Sequence, residues 1–141
     1  MFDSLEQVNI LVGNMDKSSI SDSSWYLENY SIDYPSTEKV KMIEKYSNSA
    51  SVEVYFGSWC SDSYTWVPAF LKIAENTSLG KELSIIGLPK DLAKREAYAT
   101  GKNILKVPTF VFMRNGVEIG RIIESPIENL SDDIIKILVS R

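Results

Sequence analysis

The chain has 141 residues, of which 44% are hydrophobic and 24% are charged, and its net charge is −4 at pH 7. These values fit one globular domain, and the acidic balance argues against nucleic acid and against an anionic membrane surface as partners. One cysteine and no histidine exclude an internal disulfide, a zinc site with four Cys or His ligands, and a triad with a histidine base. We therefore expect neither a metal nor a cofactor.

We expect neither a transmembrane span nor a secretory signal in this sequence. No apolar run approaches the roughly 18 residues that a membrane-spanning helix needs. Residues 1–6 are acidic, whereas a secretory signal begins with basic residues and continues with an apolar stretch. We therefore expect a cytoplasmic protein.

Residues 1–36 differ from the rest because their apolar residues are scattered, and we interpret them as a partly helical N-terminal extension. The segment Val8–Val12 fits a short helix or a strand, and the sequence does not decide between them. Ser18–Ser24 is rich in Ser and Asp, which is typical of a loop or linker. A short helix is expected over Ser24–Tyr30.

After Pro35 the apolar spacing alternates between the helical and the strand period. The predicted elements, in chain order, are a helix capped by Thr37 and ending near Tyr46, a strand at Ser51–Phe56, a helix from Ser61 to Asn76 that contains Pro68, a strand at Leu83–Leu88, a helix of about ten residues from Asp91 to Gly101, strands at Thr109–Arg114 and Val117–Ile123, and a last helix capped by Ser125. Leu83–Leu88 is almost continuously apolar, as expected of a strand buried on both faces.

The closing segment contains the clearest turn signal of the chain. Asn115-Gly116 lies between two apolar runs, and this dipeptide is the strongest short-range hairpin signal. The preceding alternation of helices and strands implies parallel strands. Together they predict an α/β domain over residues 37–141, with a central mixed sheet of four to five strands and helices on both faces.

Three groups of residues in this domain match the pattern of one known family. An aromatic strand ends in Gly57-Ser58-Trp59-Cys60, and Pro68 follows at the spacing of that family's kinking proline. Val107-Pro108-Thr109 is similar to the family's loop with a cis-proline that faces the reactive cysteine. This resemblance to thioredoxins implies a thioredoxin-like fold with Cys60 at the start of a helix, and a substrate groove formed by Trp59, Asp62, Val107 and Pro108.

The sequence also departs from that family pattern. Ser63 stands where the second, resolving cysteine is expected, so the motif is Cys-x-x-Ser. Val54 replaces a buried acid, Glu124 replaces a glycine near the groove, and Ser61-Asp62 replaces the usual Gly-Pro pair. The resemblance is therefore to the monothiol branch of thioredoxin-like proteins.

This pattern predicts a reactive thiol that lacks a resolving partner. A helix N-terminus favours a thiolate over a thiol, and we expect the Ser63 hydroxyl to donate a hydrogen bond to it. Cys60 and Ser63 are therefore the candidate catalytic residues. Without a second cysteine, an external thiol must release any mixed disulfide.

Two functions follow from these residues. In the first, the protein exchanges thiols with proteins or with small molecules such as glutathione, and Cys60 is the nucleophile. In the second, the fold is a non-catalytic binding or adaptor domain that uses the same groove or the N-terminal extension. For Cys60 alone, a small buried hydrophobe is the competing interpretation.

Overall fold

A computed structural model describes residues 2–3, 8–9, 11–21, 23–30 and 34–140. Seven strands are assigned in this part of the chain: β1 (Phe2–Asp3), β2 (Val8–Asn9), β3 (Gly13–Met15), β4 (Ala50–Phe56), β5 (Leu83–Gly87), β6 (Thr109–Arg114) and β7 (Val117–Ile123). The helices are α1 (Ser18–Ser21), α2 (Ser24–Asn29), α3 (Thr37–Tyr46), α4 (Ser61–Glu75), α5 (Leu92–Arg95) and α6 (Leu130–Val139), with a 3₁₀ turn at Ser78–Lys81. None of the helices in the described ranges is long and apolar enough to cross a membrane.

Five strands form a central mixed sheet in the order β3-β5-β4-β6-β7. Strands β4 and β5 are parallel, and every other neighbouring pair is antiparallel. The predicted α/β class and the mixed sheet are therefore confirmed. The parallel pair places the end of β4, and the residues that follow it, in the middle of the sheet.

Side chains of neighbouring residues in the central strands point to opposite faces of the sheet, and each face has its own core. Val54 and Phe110 belong to the larger core, which includes buried residues of α2, α3, α4 and α6. Tyr55 and Val111 belong to a smaller core, which the segment between β5 and β6 covers. Trp59 and Cys60 pack against this smaller core.

The N-terminal third contributes to the same sheet. Strand β3 pairs with β5, and α2 packs against α4. The predicted loop at Ser18–Ser24 is wrong for its first half, because Ser18–Ser21 forms a helical turn around the fully buried Ile20. In the segment Val8–Val12, for which the sequence favoured neither helix nor strand, Val8–Asn9 is a strand. Ile10 of this segment and Asp22 of the predicted loop lie outside the described residues.

The predicted ten-residue helix after Asp91 is shorter than expected. Asp91 caps it, but α5 ends at Arg95 and the chain continues in turns to residue 102. The carboxylate of Glu96 accepts a hydrogen bond from the N–H of Gly101, and the Glu96 carbonyl accepts one from the Thr100 hydroxyl. These local bonds favour turns over a regular helix.

Two predicted caps are also wrong. The side chain of Ser36, and not that of Thr37, caps α3. The last helix begins at Leu130, with Asn129 as its cap, and not after Ser125. The carboxylate of Asp133 accepts hydrogen bonds from the N–H groups of residues 127 and 128, and this holds the residues before the cap outside the helix.

Candidate functional site

Cys60 is the N-cap residue of α4, and a tight turn connects it to β4. Its backbone is extended (φ −114°, ψ 126°), and its N–H donates a hydrogen bond of 3.0 Å to the carbonyl of Gly57. A Cβ atom at position 57 would lie 2.6 Å from Cε2 of Trp59, so any larger residue there would force the indole ring to shift. The thiol is half-buried and lies at the end of α4 where unpaired N–H groups and the helix dipole favour negative charge.

The thiol of Cys60 faces the loop that precedes β6. Its Sγ atom donates a hydrogen bond of 3.5 Å to the carbonyl of Val107, and the Val107–Pro108 peptide bond is cis. Val107 and Pro108 are both buried. The fold thus brings together residues that lie 47 positions apart in the chain.

Ser63 has a different hydrogen-bond partner from the one expected. Its side chain is completely buried, and its Oγ atom accepts a hydrogen bond of 3.0 Å from the N–H of Gly57. In the part of the chain that the structure describes, no hydrogen bond joins Ser63 to Cys60. In this structure Ser63 therefore stabilises the turn before the cysteine instead of contacting the thiol.

Trp59 and Asp62 occupy opposite environments beside the thiol. Trp59 is half-buried, and its indole N–H donates a hydrogen bond of 2.9 Å to the carbonyl of Leu88. This bond holds the indole ring against the smaller core. Asp62 is exposed in the first turn of α4, where a negative charge complements the helix dipole.

Glu124 contacts the loop on the other side of the thiol. It has a left-handed backbone (φ 66°), and its N–H donates a hydrogen bond of 2.7 Å to the carbonyl of Pro108. Its carboxylate lies 3.4 Å from the ammonium group of Lys106. The left-handed backbone explains why glycine suits this position in the family that the sequence resembles.

Sequence reasoning missed a buried cation next to the site. Arg95 is only 7% exposed, and its Cζ atom lies 5.4 Å from the ring centroid of Trp59. Burial lowers the pKa of the Arg95 guanidinium, whereas the neighbouring Cys60 and Asp91 groups raise it. No signal in the sequence indicates this contact, because Arg95 lies in a charged stretch that is typical of an exposed helix.

The other missed contacts tie the N-terminal third to the turn before Cys60. The N–H of Leu11 donates a hydrogen bond of 2.9 Å to the hydroxyl of Ser58. The Tyr64 hydroxyl donates one of 2.7 Å to the Ser58 carbonyl, and its ring stacks on that of Trp25 with a centroid distance of 4.9 Å. The turn therefore has support from the segment before β3, from α2 and from α4.

In the described part of the chain, neither a metal-ligand cluster nor the cavity described below lies at the thiol. Among the described residues, no group of three or more His, Cys, Asp or Glu side chains could hold a metal ion. A cavity of about 670 Å³ is lined by residues such as Ser49, Arg114 and Leu138. It lies at the start of β4, whereas Cys60 follows the end of that strand, so it is not part of the site.

Comparison with known proteins gives a family match and several structural likenesses. A family model described as Thioredoxin matches residues 15–131. None of the curated proteins matches the sequence. Similar solved structures include a thioredoxin of Malassezia sympodialis (25% identity, 64% of this chain and 76% of that chain covered, TM-score 0.48) and a thioredoxin of Fasciola hepatica (24%, 58% and 74%, 0.40). Mitochondrial thioredoxin 3 of Saccharomyces cerevisiae is similar at 22% identity, with 71% and 87% covered and a TM-score of 0.41.

Proposed function

Because this chain belongs to the thioredoxin family, we propose that it is a thiol–disulfide redox protein in which a single cysteine, Cys60, forms mixed disulfides with protein or small-molecule thiols. The observation that carries the proposal is the position of the thiol. It lies at the N-terminus of α4, half-buried, within hydrogen-bond distance of the Val107 carbonyl. Partly exposed cysteines at helix N-termini are typical of reactive thiols.

The exchange takes place in two steps. The Cys60 thiolate attacks one sulfur of a disulfide, the sulfur–sulfur bond of that disulfide breaks, and a new bond joins Cys60 Sγ to the attacked sulfur. The other sulfur leaves as a thiolate and takes a proton from water. A second thiolate, such as that of glutathione, then attacks the sulfur bound to Cys60, forms a new disulfide with it, and releases Cys60 as a thiolate.

The groove residues have separate roles in this proposal. The carbonyl of Val107 accepts a hydrogen bond from the thiol of Cys60 in the free protein. A thiolate has no proton to donate. When Cys60 ionises, this carbonyl is therefore free to accept a hydrogen bond from an N–H of an extended substrate. Pro108 shapes the loop, and Trp59 supplies an apolar rim. Asp62 complements the helix dipole, and Ser63 holds the turn through Gly57.

Intact-mass measurement after incubation with glutathione disulfide tests the proposal. We expect one glutathionyl adduct on the wild-type protein, removed by dithiothreitol, and none on Cys60→Ser. The matched control is Ser61→Ala, an exposed residue of the same turn, which should form the adduct as wild type does. If the folded wild-type protein forms no adduct, the proposed function is wrong.

The alternative is a thioredoxin-fold binding or adaptor domain without redox chemistry. The observation that favours it is the buried, hydrogen-bonded Ser63 at the place of a resolving cysteine, which makes that position structural. The two functions differ in their need for the thiol. If Cys60→Ser binds a given protein partner as tightly as wild type does under reducing conditions, the adaptor function is favoured.

A further inference from the structure

Arg95 is buried beside the candidate site, and its hydrogen bonds go to neutral acceptors. Its Nε, Nη1 and Nη2 atoms donate to the backbone carbonyls of Pro89, Leu105 and Lys90 at 3.0, 2.8 and 3.2 Å. Charged side chains are rarely buried unless an opposite charge is near. The carbonyls accept from all three nitrogen atoms of the guanidinium but do not neutralise its charge.

The guanidinium lies between the two segments that meet at the thiol. It faces the ring of Trp59, the residue before Cys60. It also binds the carbonyl of Leu105, two residues before the Val107 carbonyl that accepts from the thiol. Val107 belongs to the smaller core, and Trp59 and Cys60 pack against it.

We propose that Arg95 is a positioning residue for Cys60, because its buried positive charge favours the thiolate and its three bonds hold the loops around it. This inference rests on the proposed redox function. An opposite charge close to an ionisable group favours the charged form, and more so away from water. Burial lowers the pKa of the Arg95 guanidinium, and the neighbouring Cys60 acts against this effect and raises it, as an opposite charge would.

The other charged groups around the thiol are of both signs. The N-terminus of α4 favours the thiolate, and Asp62 in its first turn disfavours it. Lys106 and Glu124, which flank Pro108, form an ion pair. Asp91 lies one helical turn before Arg95 and partly offsets its charge. Arg95 is thus the buried cation of this group.

The rate of Cys60 alkylation by iodoacetamide, measured against pH, tests the proposal. The variants are Arg95→Gln, which is neutral but keeps N–H donors, and Arg95→Lys, which keeps the charge but loses the planar fork. The matched control is Lys94→Met, which removes a charge from an exposed residue of α5. Circular dichroism checks that each variant is folded, and trimethylamine N-oxide is added to all samples to favour the folded state.

We expect Arg95→Gln to raise the pH midpoint of alkylation by about one unit relative to wild type. Arg95→Lys should lower the melting temperature but shift the pH midpoint of alkylation much less than Arg95→Gln does. Lys94→Met should change neither the melting temperature nor the midpoint. Equal midpoints for Arg95→Gln and wild type would overturn the proposal, and so would failure of Arg95→Gln to fold, which would assign Arg95 a purely structural role. Alkylation does not require disulfide exchange, so a missing glutathionyl adduct on wild type would contradict the proposed function separately.

Discussion

The backbone N–H of Leu11 donates a hydrogen bond of 2.9 Å to the hydroxyl of Ser58, which lies two residues before Cys60. This bond fastens the N-terminal segment to the turn that carries the thiol. Leu11 precedes β3, and β3 continues the contact by pairing with β5 at the edge of the sheet. Residues outside the family motif therefore support the candidate site.

Ser58→Ala should loosen this contact. The substitution leaves the N–H of Leu11 without its partner, so we expect a loss of about 1 kcal/mol in the free energy of unfolding. Urea denaturation measures the loss, and amide hydrogen exchange should be faster at Leu11. Ser61→Ala, in the exposed first turn of α4, is the control. Equal stability of the two variants would show that the bond contributes nothing.

The stacked rings of Trp25 and Tyr64 should couple α2 to the turn. Their planes are inclined by 22° at a centroid distance of 4.9 Å. A double-mutant cycle with Trp25→Ala and Tyr64→Ala should give a coupling free energy of about 0.5–1.5 kcal/mol. Tyr64→Phe keeps the stack and removes only the bond to the Ser58 carbonyl. A coupling near zero would mean that the rings are independent.

Gly87→Ala should disrupt the edge of the sheet. A Cβ atom at this position would lie 2.2 Å from the carbonyl oxygen of Leu11, so the backbone of the N-terminal segment must shift. We expect a loss of about 1–3 kcal/mol in the free energy of unfolding. Ser84→Ala, an exposed position of the same strand, serves as the control. A Gly87→Ala variant as stable as wild type would contradict the close approach.

Ser63→Cys should convert the site to a dithiol. A cysteine here lies one helical turn from Cys60, at the spacing of the Cys-x-x-Cys motif, and can attack the mixed disulfide from within the protein. After incubation with glutathione disulfide we expect loss of the adduct and formation of an internal disulfide, measured by intact mass. Ser63→Ala is the control and should keep its adduct. A long-lived adduct on Ser63→Cys would show that the second thiol cannot reach the first.

The ion pair of Glu118 and Arg121 should make a small contribution that is lost in acid. The Arg121 guanidinium donates bonds of 2.7 and 2.8 Å to the carboxylate, and these bonds hold the pKa of Glu118 below its ordinary value. A carboxyl with a lowered folded-state pKa stabilises the fold above its ordinary pKa and ceases to do so as the pH falls through the folded value. Since the pair is partly exposed, its contribution is under about 1 kcal/mol.

Urea denaturation of wild type and Glu118→Gln at several pH values measures this contribution. The difference in the free energy of unfolding should be present at neutral pH and shrink towards zero as the carboxyl is protonated. Glu128→Gln, at an exposed position, is the control for the loss of one carboxylate. If the difference in the free energy of unfolding between wild type and Glu118→Gln grew as the pH fell, the prediction would be contradicted.

The sequence predicted those parts of the fold that local chemistry determines. The hairpin at Asn115-Gly116 is one of them, because both residues adopt the positive φ angles (53° and 80°) that this turn requires. The helix that follows Cys60 is another, and Pro68 is accommodated inside it. These features depend on residues that are close together in the chain.

Contacts between distant residues could not be predicted in the same way. Strand β3 has only three residues, which are too few to show the alternating pattern of a strand. Its position beside β5 depends on the close approach of the Leu11 carbonyl to Gly87. Arg95 is buried because three carbonyls from two loops, one on each side of α5, surround it, and no spacing in the sequence indicates this. Ser63 was expected to bond the thiol, but its buried hydroxyl accepts a hydrogen bond from the N–H of Gly57, six residues earlier in the chain.

The most direct test of the proposed function compares the reactivity of Cys60 in the folded and in the urea-unfolded chain. The protein has a single cysteine, so its rate of reaction with 4,4′-dithiodipyridine at pH 7 reports on this thiol alone. If the helix N-terminus and Arg95 activate a half-buried thiol, the folded protein should react faster than the unfolded one. A folded protein that reacts more slowly than the unfolded chain would contradict the account, since that is the behaviour of an inert, buried cysteine.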